Sequence, residues 1–116
     1  MKNLFVSYEI AKLLKDKQFP NNTGSCLAAW ENTENGQWLH FGSHPIGLLQ
    51  APLYQQVVDW FREKHKLILS AHPTTNGKYC SIIYRYPNNE IFQSIERFEN
   101  YYDALNKTIN VSINLI

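Results

Sequence analysis

Apolar positions recur along the chain at two periods, and the switches between them delimit the elements. After Ser7, Ile10, Leu13 and Leu14 fall at helical spacing with Lys12, Lys15 and Lys17 on the other side. This predicts a first helix capped by Ser7 and ended at Phe19-Pro20, with Asn21-Asn22-Thr23-Gly24 as a loop. Two short apolar runs, 25–31 and 37–41, flank Asn35-Gly36 and form the strongest hairpin signal in the chain. Residues 42–50, with Pro45 and Gly47, read as an irregular connection. Pro52 then suits the first turn of a second helix, where a missing N–H leaves no bond unmade. Leu53, Val57, Trp60, Phe61 and Lys64 mark its inner stripe, and Gln55, Gln56, Asp59, Arg62 and Glu63 its outer face.

Residues 67–71 read as a strand and 72–77 as its turn. Residues 78–86 form the strongest strand, dense in β-branched and aromatic side chains. Pro87-Asn88-Asn89 turns the chain into a further strand over 91–98. Asn100 caps a last helix with Asp103 in its first turn, where the helix dipole favours an acid. Tyr102, Leu105, Ile109, Ser112 or Ile113, and Ile116 form its buried stripe. Its second half is rich in Asn, Val, Ile and Thr, poor helix formers that depend on packing to stay helical. The order α-β-β-α-β-β-β-α predicts an α+β fold, an antiparallel sheet with helices mainly on one face, as a single domain over 1–116.

Composition narrows the class. At 116 residues, with 44% apolar and 18% charged side chains, the chain has the make-up of one globular domain that needs no disulfide or structural metal. Aromatics reach 14%, a load that serves cores and interface anchors alike. Eleven Lys plus Arg against ten Asp plus Glu leave a formal charge of +1, unlike a dedicated duplex-DNA binder. The apolar stretch at residues 1–6 is too short for a secretion signal and is followed by Glu9 and Lys12. No run spans a membrane, so no membrane partner is expected. With only Cys26 and Cys80 and no CxxC, a cytoplasmic protein with reduced, buried thiols is the simplest expectation.

Candidate chemistry is sparse. His40 and His44 form an HxxxH, but on a strand and a following loop that spacing does not bring both rings to one metal. His65 sits at a helix end and His72 before a proline, both read as structural or solvated. A Cys–His nucleophilic pair would need Cys26 or Cys80 beside His40 or His72, plus an orienting group. The carboxylates fit exposed helical faces, loops and strand ends, and there is no GxGxxG, GxxxxGK[ST], GxSxG or HExxH. A non-enzymatic protein without cofactor or catalytic residues is therefore expected.

A binding surface is the better expectation. Along 78–86, Cys80, Ile82, Tyr84 and Tyr86 alternate with Tyr79, Ser81, Ile83 and Arg85. With the first set toward the core, the second presents Tyr79 and Arg85 to solvent, alongside Trp38 or His40, as a platform for bases or a protein. The bland alternative is an ordinary half-buried sheet face. An RNA-binding protein would instead gather Lys64, Lys66, Lys78, Arg85 and Lys107 on one face. Residues 53–116 share the α-β-β-β-α order of a double-stranded-RNA-binding domain. Of the basic cluster that opens that family's last helix, however, the chain keeps Ala104 and only Lys107.

Three segments carry a wider resemblance: Ser7-Tyr8-Glu9-Ile10-Ala11-Lys12; Ala51-Pro52-Leu53-Tyr54-Gln55-Gln56-Val57-Val58-Asp59-Trp60-Phe61-Arg62-Glu63-Lys64; and Tyr102-Asp103-Ala104-Leu105-Asn106-Lys107. They resemble a family of small proteins of unassigned activity carried on bacterial phages and mobile elements, over nearly the whole chain. The chain departs from that pattern at Asn110, Val111 and Asn114, where Ala or Glu is commoner. The resemblance implies a phage or mobile-element setting. There, small non-enzymatic proteins often bind a host protein or ribonucleoprotein, anti-CRISPR inhibitors of bacterial immunity among them. The expected function is thus a small inhibitor of a host defence protein, with an RNA-binding accessory protein as the alternative.

Overall fold

Ser7 starts the first helix as its spacing predicts: its hydroxyl accepts from the Ile10 N–H at 3.3 Å, and α1 runs over Tyr8–Asp16. In the computed structural model, which describes residues 4–20, 28–41, 48–86 and 89–116, six strands and two more helices follow. These are β1 (Ala28–Thr33), β2 (Gly36–Phe41), β3 (Leu49–Gln50), α2 (Tyr54–His65), β4 (Leu67–Pro73), β5 (Tyr79–Arg85), β6 (Asn89–Gln93) and α3 (Tyr101–Ile113). The α+β class and the expected succession hold. β3, two residues long, is added inside the predicted connection, and the strands divide between two antiparallel sheets ordered β2-β1-β3 and β4-β5-β6. The chain forms two compact units, Met1–Gln56 and Val57–Ile116, each with its own sheet.

In the first unit, α1 buries Ile10, Ala11 and Leu14, whereas Leu13 points outward at 40% exposure. The helix stops in a left-handed turn at Gln18 (φ 65°), with Gln18 N–H donating to Lys15 O at 3.0 Å and Phe19 N–H to Leu14 O at 2.9 Å. That bond pair is a Schellman termination, here built on glutamine rather than glycine. The predicted hairpin forms in the register Thr33↔Gly36 to Ala28↔Phe41, and Gly36 supplies the positive φ (123°) of its turn. One hairpin face packs inward, where Trp30 Nε1 donates to Val6 O at 3.0 Å. Val6 N–H in turn donates to Pro52 O at 3.0 Å, and Phe5 bridges Leu53. Pro52 and Leu53 are therefore extended chain rather than helix, and α2 begins at Tyr54 with Gln56 Oε1 accepting from Leu53 N–H at 2.9 Å.

In the second unit, the stripe of α2 is Val57, Trp60 and Phe61, while Lys64 is exposed rather than inward. β4 extends through His72 and Pro73, which the sequence assigns to a turn, because both pair in register with β5. β6 ends at Gln93, short of the predicted 98. There Ser94 N–H donates to Ser81 O at 2.9 Å, its hydroxyl accepts from Ser81 N–H at 2.9 Å, and the chain leaves the ladder. α3 packs across β4 and β5. Small side chains at Ser81 and Ala104 allow a close approach, and Ser81 Oγ donates to Ala104 O at 2.5 Å. Asn100 caps α3 by accepting from Asp103 N–H at 2.9 Å. The poor helix formers of its second half stay helical because Thr108, Ile109, Ser112 and Ile113 are buried. Tyr102 is only half-buried, so the buried stripe is rotated from the predicted one.

Candidate binding surfaces

The residues singled out as a platform fall on two different sheets. Trp38 and His40 lie on β2, and Tyr79 and Arg85 on β5. β5 has no open face at its centre: Cys80 and Ile82 are buried as the sequence predicts, but so is the other side, expected to face solvent. Ser81 and Ile83 have no exposed surface, and the hydroxyl of Ser81 reaches the backbone of α3, so the Tyr79–Ser81–Ile83 side is the one the helix covers. Alternation alone did not separate the faces, since each carries apolar side chains. Tyr79 is half-buried in an edge contact with Tyr101 of α3, ring centroids 6.1 Å apart. Arg85 remains exposed, because it lies at the end of the strand beside Tyr86.

On β2 the predicted pair does come together, with a partner that the sequence reading missed. Antiparallel register sets Glu31 opposite Trp38 and Ala29 opposite His40, so all four share the face turned away from Trp30 and Val6. His40 Nε2 and Glu31 Oε1 are 2.9 Å apart, each side chain about half exposed. An ion pair this exposed contributes less than about 1 kcal/mol to stability, so its effect is positional. It holds a ring and a carboxylate beside Trp38, which is 56% exposed on a backbone fixed by six paired positions. The surface thus joins an exposed aromatic side chain to one donor–acceptor pair, features suited to a partner's surface. Only the hairpin register, linking residues nine apart, foretells the Glu31 contact.

The basic residues are not gathered on one face. Lys64 and Lys66 at the end of α2 lie near Arg85, since Leu67 pairs with Arg85 and Tyr86 N–H donates to Lys66 O at 2.8 Å. Lys66 Nζ turns back to Glu63 O at 3.2 Å. Lys78 precedes the other end of β5, roughly 23 Å away by strand rise, and pairs with Glu99 at 3.2 Å. Lys107 is half-buried on α3.

Nucleophilic and metal chemistry find little support among the described residues. Ser70 Oγ lies 2.7 Å from His72 Nε2, and His72 stands opposite Cys80 in the ladder, a cluster hidden from the sequence reading by placing His72 in a turn. No carboxylate or amide among the described residues hydrogen-bonds to the other ring nitrogen, so the orienting member of a triad is lacking. Cys80 itself is buried. No group of three or more His, Cys, Asp or Glu among the described residues is placed to hold a metal ion. Cys26 and His44 lie outside the described residues. A hollow between α1 and β3, lined by Ala11, Leu14, Phe19 and Leu49, holds about 30 Å³, room for one or two waters. No helix among the described residues is long and apolar enough to cross a membrane.

Fold and surface together define an α+β protein with two small three-stranded sheets and an exposed aromatic hairpin face. In comparisons with protein-family models, curated proteins and solved structures, nothing matches the chain.

Proposed function

We propose that the chain is a small non-enzymatic binding protein that inhibits or modulates a partner protein through the outer face of the β1–β2 hairpin. The observation that carries this reading is Trp38, more than half exposed on a strand paired along its length to β1, with the Glu31–His40 pair beside it. A partner that covers this indole would bury a large aromatic surface at one point, and aromatic anchors of that kind dominate interface energetics. The resemblance to phage and mobile-element proteins supports a host defence protein or ribonucleoprotein as the partner, bound in the manner of an anti-CRISPR protein.

The test is capture by the tagged chain from nuclease-treated bacterial lysate, followed by titration of the captured protein against wild type and Trp38→Ala. The expected outcome is one protein whose affinity falls by about 30-fold in the variant, equivalent to about 2 kcal/mol. Equal affinity for both chains would remove the hairpin face from the reading. Capture of RNA from untreated lysate, with no protein retained after nuclease treatment, would overturn it in favour of the corner formed by Lys64, Lys66, Arg85 and Tyr86, and binding would then weaken steeply with salt.

A further inference from the structure

Among the described residues, β2 is the terminal strand of its sheet, with β1 on one side and no strand on the other. Ala51 N–H donates to Ala28 O at 3.0 Å, so the Ala28 carbonyl points toward β3 and away from β2. The pair Ala28↔Phe41 is therefore of the kind without mutual hydrogen bonds. Alternation extends this to Trp30↔Leu39 and Asn32↔Gln37. Gln37, Leu39 and Phe41 consequently aim their N–H and C=O groups outward along the free edge.

Other edges in the protein carry features that discourage strand addition. β4 ends in Pro73, and β6 contains Glu90 and a register shift opposite Ile83 and Tyr84. β2, by contrast, has no Asp, Glu, Lys, Arg or Pro, and its six pairs with β1 run without a bulge. It also exposes large apolar side chains on both faces, Trp38 at 56% and Phe41 at 46%. A partner lying on one face would cover one of them, whereas an added strand covers both.

We infer that β2 pairs antiparallel with β2 of a second copy of this chain, about a two-fold axis at Leu39, to make a continuous six-stranded sheet. In that register Leu39 meets Leu39 of the second copy, and Gln37 meets Phe41 at either side. All three outward-facing residues then fall in bonded pairs, with two hydrogen bonds per pair. Trp38 faces His40 of the second copy in a non-bonded pair, the geometry with the closest side-chain approach, at Cα separations of about 4.5 Å. Each imidazole is already oriented by its own Glu31, at 2.9 Å. A net charge of +1 sets no large repulsion against self-association. The pairing goes beyond the proposed function and rests on the edge groups of β2; because it also covers part of Trp38, it would compete with a partner on the sheet face.

Sedimentation equilibrium of the purified chain from about 1 μM to about 500 μM tests the inference. Wild type is expected to move from monomer to dimer within that range. Leu39→Pro removes an N–H that faces only the free edge, so a folded variant, checked by circular dichroism, is expected to dimerise at least tenfold more weakly. Leu39→Cys provides a second readout should the proline variant fail to fold. Opposed Cα atoms about 5.5 Å apart are within disulfide reach, so mild oxidation should yield covalent dimer far faster than for Tyr86→Cys, an exposed site on the other sheet. A wild type that stays monomeric throughout, a folded Leu39→Pro that dimerises normally, or Leu39→Cys cross-linking no faster than Tyr86→Cys would each overturn it.

Discussion

Replacing Ser94 by Ala removes the hydroxyl that closes the second sheet where β6 leaves the ladder. Ser94 is 4% exposed, and its Oγ accepts from the Ser81 N–H at 2.9 Å while donating to Glu96 O at 3.0 Å. Glu96 lies in an exposed turn, so its carbonyl can be rehydrated in the variant. Ser81 is fully buried beneath α3 with no exposed surface, so its N–H is left without a partner. Leaving one buried donor unsatisfied costs about 1–3 kcal/mol, and the second bond contributes at most a few tenths once water replaces it. The expected loss is therefore about 2 kcal/mol, a fall of about 10 °C in Tm for a unit of this size. Urea unfolding followed by circular dichroism measures the loss, and amide exchange at Ser81 localises it. A loss below about 0.5 kcal/mol, or an unchanged exchange rate at Ser81, would refute the assignment of this hydroxyl as the sole partner of that N–H.

The left-handed termination of α1 and the environment of His65 lead to two further expectations. Gln18→Gly relieves a side chain from φ 65° while keeping both terminating bonds, so the midpoint of urea unfolding should rise by the equivalent of about 0.5–1 kcal/mol; a fall would show that the Gln18 side chain makes a stabilising contact. His65 has its pKa lowered below 6.5 by burial and, secondarily, by Lys64; its Nε2 is buried without a hydrogen-bond partner, and its ring lies 4.7 Å from that of Trp60. Between the lowered value and 6.5 the unfolded chain binds more protons than the folded one, so this contribution is complete above pH 6.5 and declines as pH falls below it. Comparing wild type with His65→Phe at pH 8 and pH 5.5 should show a smaller acid-induced loss in the variant, and equal losses would exclude His65 as the cause.

The sequence by itself determined the features that depend on near neighbours. The caps at Ser7 and Asn100 each bond to a backbone N–H three residues away. The hairpin at Asn35-Gly36 follows from one glycine able to take a positive φ, and the helical stripes follow from spacing. The second half of α3 was legible only as a conditional statement, that packing must hold it, and burial of Thr108, Ile109, Ser112 and Ile113 meets the condition.

Tertiary structure decided which surfaces exist. Strand signals do not say with whom a strand pairs, so the division into β2-β1-β3 and β4-β5-β6 came only from the fold. It separated Trp38 and His40 from Tyr79 and Arg85. Period-two alternation defines two faces of β5 without ranking them when Ile82 lies on one and Ile83 on the other. The close fit of Ser81 against Ala104 of α3, 23 residues away, chose between them. Likewise, Glu31 meets His40 because strand register places their side chains on a common face. Contacts across strands or between a strand and a helix depend on pairing and packing energies summed over whole elements. For that reason no single residue, and no local pattern, announces them.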